Sequence, residues 1–318
     1  MYHSFIGVDI SKDEFHATIQ STNKVIKFAN TRDGFLEFQR HYYQILPESL
    51  VVLEATGGYE ITFANYLYKN NIAVHRANTR IVKSFIRSLT KLGKSDSIDA
   101  QGLAQYAKER HDSLALYIPI LDIKKEMIEL TNRKNDLKRI ATQEKNRLQA
   151  PDNQYCKDSN TTMIAFLQGE IDRISVRQKE IINEDKLLKA KVNLLTAEVY
   201  GVGENTAISL LSVFPEIGSL NRRQVASLAG VAPHPYESGK KIGYRMTRGG
   251  RDNIKPVLYM AALSVSRDKG TLGAFYKRLI ANGKKPLVAI VAVMRKMIVI
   301  INAKVKELLK NYTELGIV

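Results

Sequence analysis

Residues 5–30 read FIGVDISKDEFHATIQSTNKVIKFAN. Within this stretch FIGVDIS (5–11), EFHATIQS (14–21) and VIKFAN (25–30) are each short, rich in β-branched or aromatic residues, and separated by polar turns. That is the pattern of a three-strand meander. The pattern then changes: an amphipathic stretch DGFLEFQRHYYQ (33–44) is followed by the near-continuous apolar run SLVVLEA (49–55), a second helical stretch ITFANYLYKN (61–70), and a short strand candidate IAVHRAN (72–78). An unbroken apolar run of this length has the composition of a strand buried on both faces.

A meander followed by helix and strand in alternation fits a ribonuclease-H-like α/β core, expected over residues 1–115. A Rossmann fold opens instead on strand, helix, strand. From about residue 122 a charged helix carries apolar residues at Ile123, Met127, Leu130, Leu137, Ala141 and Leu148; after APDNQYCKDSN (150–160) the stripe resumes at Ile164, Leu167, Ile171, Ile174, Ile181, Leu188, Val192 and Leu195. Residues 116–195 are therefore expected to form two long helices, as an antiparallel hairpin or a coiled-coil association surface, with an ordinary bundle as the alternative. Because a short hairpin buries a long seam poorly, the stripe from Ile164 to Leu195 is expected to join protomers; the alternative is closure within the chain against Ile123 to Leu148. The remainder, 196–318, should be mostly helical.

The 318 residues carry 48 Lys and Arg against 32 Asp and Glu, a formal charge of +16, with 44% hydrophobic residues. Such composition supports packed cores and a polyanionic partner, most often nucleic acid; charge alone leaves a basic membrane-surface protein open. Residues 196–318 concentrate the charge, with 19 Lys and Arg against 8 Asp and Glu. No apolar run reaches the roughly 18 residues of a membrane span, and MYHSFIGVDI lacks the regions of a secretion signal. A cytoplasmic protein with no membrane role is the expectation. Cys156 is the single cysteine, and six histidines without paired spacing argue against a zinc site, so any catalytic metal would be held by oxygen.

Four acids stand where such oxygen could come from. Asp9 closes the first strand candidate, Glu54 closes the buried run, and KSDSIDAQGLAQYA (94–107) places Asp96 and Asp99 three residues apart on one helix face. By themselves Asp96 reads first as a helix cap and Asp99 as a favourable first-turn acid. Four carboxylates brought together repel unless divalent cations neutralise them, and two Mg²⁺ ions carry the matching charge for phosphodiester cleavage. In AEVYGVGENTAISLLSVFPEIGSL (197–220) a turn containing Gly201 and Gly203 lies between two apolar helical stripes. This resembles a helix-hairpin-helix, whose amides hold a backbone phosphate, although such a turn alone is ordinary chain reversal.

The order of Asp9 in FIGVDIS, Glu54 in LEATGGYE, the paired acids Asp96 and Asp99, the glycine turn, and then LAGVAPHPYESGKKIGYRMTRGGRDNIKPVLYMAA (228–262) resembles the DEDD transposases of the insertion-sequence one-ten family and the related Piv-type DNA invertases. The likeness spans essentially the whole chain. It implies a RuvC-like first domain in which Asp9, Glu54, Asp96 and Asp99 bind Mg²⁺, with Mn²⁺ able to substitute, and in which Ser238 attacks a DNA phosphate to form a phosphoserine link. It further implies DNA as substrate, a structured bridge RNA that selects target and donor, and a homo-oligomer, dimer or tetramer. Transposase and invertase are not separated by these residues.

Ser238 also has a reading of its own. A serine hydroxyl is a weak nucleophile that needs activation and charge stabilisation, and Lys240, Lys241, Arg245, Arg248 and Arg251 follow closely in sequence. Taken alone, Ser-Gly in a polar loop is a commonplace turn and the cations are phosphate contacts. The rivals are a RuvC-like junction nuclease with a water nucleophile, an actin-like kinase, which lacks its second glycine-rich phosphate loop here, and a non-catalytic nucleic-acid scaffold.

Overall fold

A computed structural model describes residues 2–22, 24–89, 96–235, 237–238, 241–243, 245–251 and 253–314, with only the backbone described at 237, 238, 241 and 242. The chain divides into two compact units, 1–120 and 121–318.

In the first unit the expected meander forms as β1 (Ser4–Ile10), β2 (Glu14–Ile19) and β3 (Ile26–Ala29). Helix α1 (Arg32–His41), capped by the Thr31 hydroxyl, leads to β4 (Ser49–Glu54), α2 (Glu60–Lys69), β5 (Ala73–Ala77), α3 (Thr79–Ser88) and α4 (Asp96–Arg110). One sheet in the order β3-β2-β1-β4-β5 results, antiparallel through the meander and parallel from β1 through β4 to β5. Every residue of β4 is buried, as its unbroken apolar run requires.

Alternation along β1 sorts its side chains between two layers. Ile6, Val8 and Ile10 pack with Phe15, Phe28, Phe35, Phe38 and Phe63 under α1 and α2. Phe15 lies 4.5 Å from Phe63 and 5.3 Å from Phe28 between ring centroids. Aromatic burial of this kind stabilises by roughly 1.5–3 kcal/mol per side chain. On the opposite face Phe5, Leu50 and Val52 pack with Val82, Ile86, Leu103 and Ala107 of α3 and α4.

The second unit holds α5 (Asp122–Leu148), α6 (Lys157–Glu184), α7 (Lys186–Glu198), α8 (Glu204–Val213) and α9 (Arg222–Leu228). Next come the two-residue strands β6 (Pro233–His234), β7 (Glu237–Ser238), β8 (Lys241–Ile242) and β9 (Met246–Thr247), then α10 (Ile254–Ser266), α11 (Thr271–Ala281) and α12 (Pro286–Glu314). Strand β6 pairs with β9 and β7 with β8, both antiparallel.

One expectation for the apolar stripe is corrected. It is not one helix, because Asp185 leaves the helical conformation and its carboxylate accepts the Leu188 amide at 2.9 Å, ending α6 and capping α7. Part of the stripe closes within the chain, the alternative stated for it. Leu167 and Ile171 pack on Leu137 and Ala141 of α5, while Ile181, Val192 and Leu195 join the core that contains Met127, Leu210, Leu258 and Ile298. Along the antiparallel α5/α6 pair the seam is polar at one point: the buried Lys134 ammonium donates to Gln178 and to Asn205, each at 3.1 Å, and Gln178 donates to Thr131 at 2.9 Å. Desolvation, reinforced by Lys138 and Lys179, holds the Lys134 ammonium pKa below its usual range.

Among the described residues α12 alone is long and apolar enough to cross a membrane, a length that Arg295 and Lys296 obscure in the sequence. Its apolar face, including Val293, Met297, Ile298, Ile301 and Val305, is buried in the core of the second unit.

Candidate active site

Asp9 and Glu54 sit at the ends of adjacent parallel strands, where the Val8–Leu53 register sets the two acids side by side. Phe5 and Gly7 share the Asp9 face of β1, and Leu50 and Val52 share the Glu54 face of β4. That face is covered by α4, whose inward residues include Ala100, Leu103, Ala104 and Ala107.

Gly7 makes the approach possible. A Cβ at this position would lie 2.1 Å from the Ala100 carbonyl oxygen and 2.2 Å from the Ala104 nitrogen. The backbone of α4 thus rests directly on β1, and the first turn, with Asp96 and Asp99, reaches the end of the strand that carries Asp9. The electrostatics record this proximity. Burial, and then the charges of Asp99, Asp96 and Glu54, push the half-buried Asp9 carboxyl from 3.8 up to about 7, against one backbone hydrogen bond that lowers it.

Two basic side chains border the cluster. The Lys83 ammonium of α3 is 3.7 Å from Glu54, which is itself buried, and His16 Nδ1 is 3.6 Å from the exposed Asp96 carboxylate. His16 was legible in principle, since antiparallel register sets it opposite Asp9; Lys83 carries no such mark in the sequence. A fifth acid from LEATGGYE, Glu60, has a different task. Fully buried, it accepts the amides of Thr56 and Gly58 at 3.1 Å and pairs with Arg76 at 2.6 Å, and so fastens the turn that follows Glu54 to β5. Thr79 adds a bond to the Ala55 carbonyl at 2.8 Å.

Among the described residues no three Asp, Glu, His or Cys groups stand close enough to form a ready ligand set. Asp9, Glu54, Asp96 and Asp99 are electrostatic neighbours. Their donor set is all oxygen, the chemistry preferred by a hard divalent cation, and the ionisation of Asp9 is favoured by one backbone hydrogen bond alone. The residues present therefore fit such an ion.

In the second unit Ser238 ends β7 opposite Lys241 of β8. Lys240 lies outside the described residues. Arg245 and Arg248 are exposed. Arg251 is engaged internally, donating to Glu216 at 2.5 and 2.9 Å and to the Val213 carbonyl at 2.8 Å, with its guanidinium over the Phe214 ring. Burial opposes ionisation of Glu216, but its bonds to Arg251 and a backbone amide prevail and leave its pKa lowered. The glycine turn joins α7 to α8: Gly201 takes φ +82°, where a Cβ would meet Val265 at 2.4 Å, and Gly203 precedes α8 as its N-cap without a side-chain cap.

Comparison with known proteins places both units. Residues 6–156 match the family described as transposase, DEDD of the IS110 type, and residues 194–277 match the family described as transposase, IS116/IS110/IS902. The chain is 28% identical to the pilin gene-inverting proteins of Moraxella lacunata and Moraxella bovis over 317 residues, covering 96% of this chain and 97% of each relative. With one family profile over the acid-bearing unit, a second over the serine-bearing one, and invertases aligned end to end, the chain belongs to the IS110 family of transposases and is related to the Piv-type DNA invertases.

Proposed function

We propose that the protein is a DNA recombinase, a transposase or site-specific invertase, that cuts and rejoins strands at a RuvC-like site of Asp9, Glu54, Asp96 and Asp99 with Ser238 as nucleophile. The observation that carries this reading is Asp9, at a strand end beneath α4 and raised to about 7 by burial and three neighbouring carboxylates. Perturbation of this kind, without a salt-bridge partner for Asp9 among the described residues, is concentrated at functional sites. The β3-β2-β1-β4-β5 order, with its antiparallel meander, supports the ribonuclease-H-like assignment.

The four acids are the ligands for Mg²⁺, or Mn²⁺ in its place. Bound there, such ions supply neutralisation of the attacked phosphate and acidification of the attacking hydroxyl. Ser238 Oγ forms the new bond to phosphorus, one deoxyribose oxygen leaves as a hydroxyl, and attack by an incoming hydroxyl in the reverse sense restores Ser238 and joins the strands. Lys240, Lys241, Arg245 and Arg248 hold phosphates around that loop, and the turn at Gly201 and Gly203 serves as a helix-hairpin-helix contact. Arg251 contributes by bracing the segment through Glu216. A structured bridge RNA is the guide, matching the +16 charge, and the active form is a homo-oligomer in the cytoplasm.

The test is to incubate the protein with Mg²⁺ and DNA spanning its own element's ends, then denature it and seek a nucleotide remnant on the Ser238 peptide by mass spectrometry. An adduct absent from Ser238→Ala and Asp9→Ala proteins is expected. Cleavage without an adduct, together with an active Ser238→Ala protein, would establish a water nucleophile and a plain nuclease. Sequencing of copurifying RNA tests the guide.

A further inference from the structure

Away from the 237–251 segment, the second unit carries another concentration of positive charge. A groove of about 730 Å³ is lined by Arg222 and Arg223 of α9, Phe275 of α11, and Arg295 and Lys296 of α12. An adjoining hollow of about 300 Å³ adds Arg278 and shares Phe275 and Lys296. Five cations thus line two adjoining hollows that share one aromatic ring. Lys296 Nζ stands 4.0 Å from the Phe275 centroid and the Arg278 guanidinium 5.4 Å.

Among the described residues no ion pair accounts for this clustering. Arg222, Arg223, Arg278, Arg295 and Lys296 are all exposed, and no carboxylate among the described residues pairs with any of them. Elsewhere in the same unit the cations that brace structure do have partners: Arg251 with Glu216, Lys304 with Glu198, Arg177 with Glu126. Arg295 and Lys296 also interrupt α12, which is otherwise apolar enough to be a membrane span, at the point where it borders the groove. Uncompensated like charges lining a concave surface focus a positive potential into it. Phe275 orients two of the cations through their contact with its ring, and this limits the rotamers they must give up on binding.

We propose that this groove binds the phosphodiester backbone of a nucleic acid, as a contact separate in sequence from the serine loop and its cations. Several adjacent phosphates match five cations spread over three helices, whereas a mononucleotide would leave most of them unneutralised. The proposal rests on the DNA-handling function proposed above and adds to it a surface that holds strand rather than cutting it. Duplex DNA and structured RNA present the same backbone chemistry, and the experiment separates them.

The full-length protein carrying Arg222→Gln, Arg223→Gln, Arg295→Gln and Lys296→Gln is compared with wild type for binding to a duplex DNA and to a structured RNA across 50–300 mM salt. For whichever nucleic acid occupies the groove, the slope of log K against log salt should flatten by about 3, since each phosphate contact contributes roughly 0.9 for duplex DNA and somewhat less for RNA. Loss with DNA alone assigns the groove to DNA, and loss with RNA alone to the guide. Replacing the same four positions by the other basic residue should restore the slope. Should the fourfold Gln protein fail to fold, the exposed single changes Arg223→Gln and Lys296→Gln should each flatten the slope by about one. A folded variant with the parental slope for both ligands overturns the proposal. Wild type that binds tightly but never cleaves DNA would instead overturn the recombinase reading and leave the groove standing.

Discussion

Replacing Asp9 by Asn should stabilise the metal-free protein while abolishing its reaction. In the folded chain the Asp9 carboxyl is raised from 3.8 to about 7. Between those values the native state holds a proton that the unfolded chain has released, so stability falls as pH rises through this window and levels off above about 7. At 1.36 kcal/mol per pKa unit the full shift corresponds to about 4 kcal/mol, and partial solvent access to Asp9 reduces this to about 2 kcal/mol. Asn carries no such charge. The Asp9→Asn protein at pH 8 should melt roughly 4–8 °C above wild type, and the gap should close toward pH 4. Thermal melts at several pH values, with and without Mg²⁺, make the measurement. Mg²⁺ should raise the wild-type midpoint, by about 2.7 kcal/mol at a hundredfold excess over its dissociation constant, and leave the variant nearly unmoved. Equal melting of the two proteins at pH 8 would refute the crowding of carboxylates around Asp9, and a variant that keeps the Mg²⁺ response would remove Asp9 from the ligand set.

Gly7→Ala forces a methyl group into the α4 backbone at about 2 Å, so it should destabilise the first unit by at least 1–3 kcal/mol and suppress cleavage even where the fold survives, read by melting and by strand-cleavage assay. Lys134→Ala strands Gln178 and Asn205 and opens space in the α5/α6 seam; a loss of about 2–3 kcal/mol in denaturant unfolding is expected, and an unchanged midpoint would show the polar contact to be idle. Arg245→Gln should reduce the salt dependence of DNA binding by about 0.9, the contribution of one phosphate contact, without lowering the melting temperature. Arg251→Gln should do the opposite, because it releases Glu216 and the Val213 carbonyl: melting falls and the salt slope stays close to wild type.

The sheet was legible because its signals are local. Period-two alternation in EFHATIQS and the unbroken apolar SLVVLEA each have one sensible environment, and both became the strands they suggest. The heptad stripe was legible as helix but not as partnership, since period alone cannot distinguish Leu137 of the same chain from a leucine of another. Asp185 shows a further limit: an Asp inside a charged helix is ordinary, and only its bond to the Leu188 amide reveals a cap. For the site, acids at strand ends could be named from the sequence. What brings Asp96 and Asp99 to them could not, because it depends on the absence of a side chain at Gly7 and on the small residues Ala100 and Ala104 facing it. Arg251 and Arg245 look alike in MTRGGRD and its flank, yet one braces Glu216 and the other is exposed.

The basic residues at the rim of the acid cluster explain how the first unit folds around a repulsive centre. Four carboxylates gathered at the first turn of α4 disfavour its packing on β1, yet that packing is extensive and leaves Ala100, Leu103, Ala104 and Ala107 fully buried. Relief comes from three sources that do not alter the backbone. Asp9 takes up a proton near neutral pH, Lys83 leans on Glu54 from α3, and His16 approaches Asp96 from β2. Each is weak and reversible: the lysine contact is long and exposed, the histidine counts only when protonated, and the proton leaves as pH rises. Rigid elements meanwhile hold the frame, through the buried Glu60–Arg76 pair and the Thr79 bond on one side of Glu54 and the glycine-to-alanine contact on the other. A fixed scaffold with exchangeable counter-charges suits a site whose occupant is a cation, because the stand-ins can be displaced while α4 stays in place.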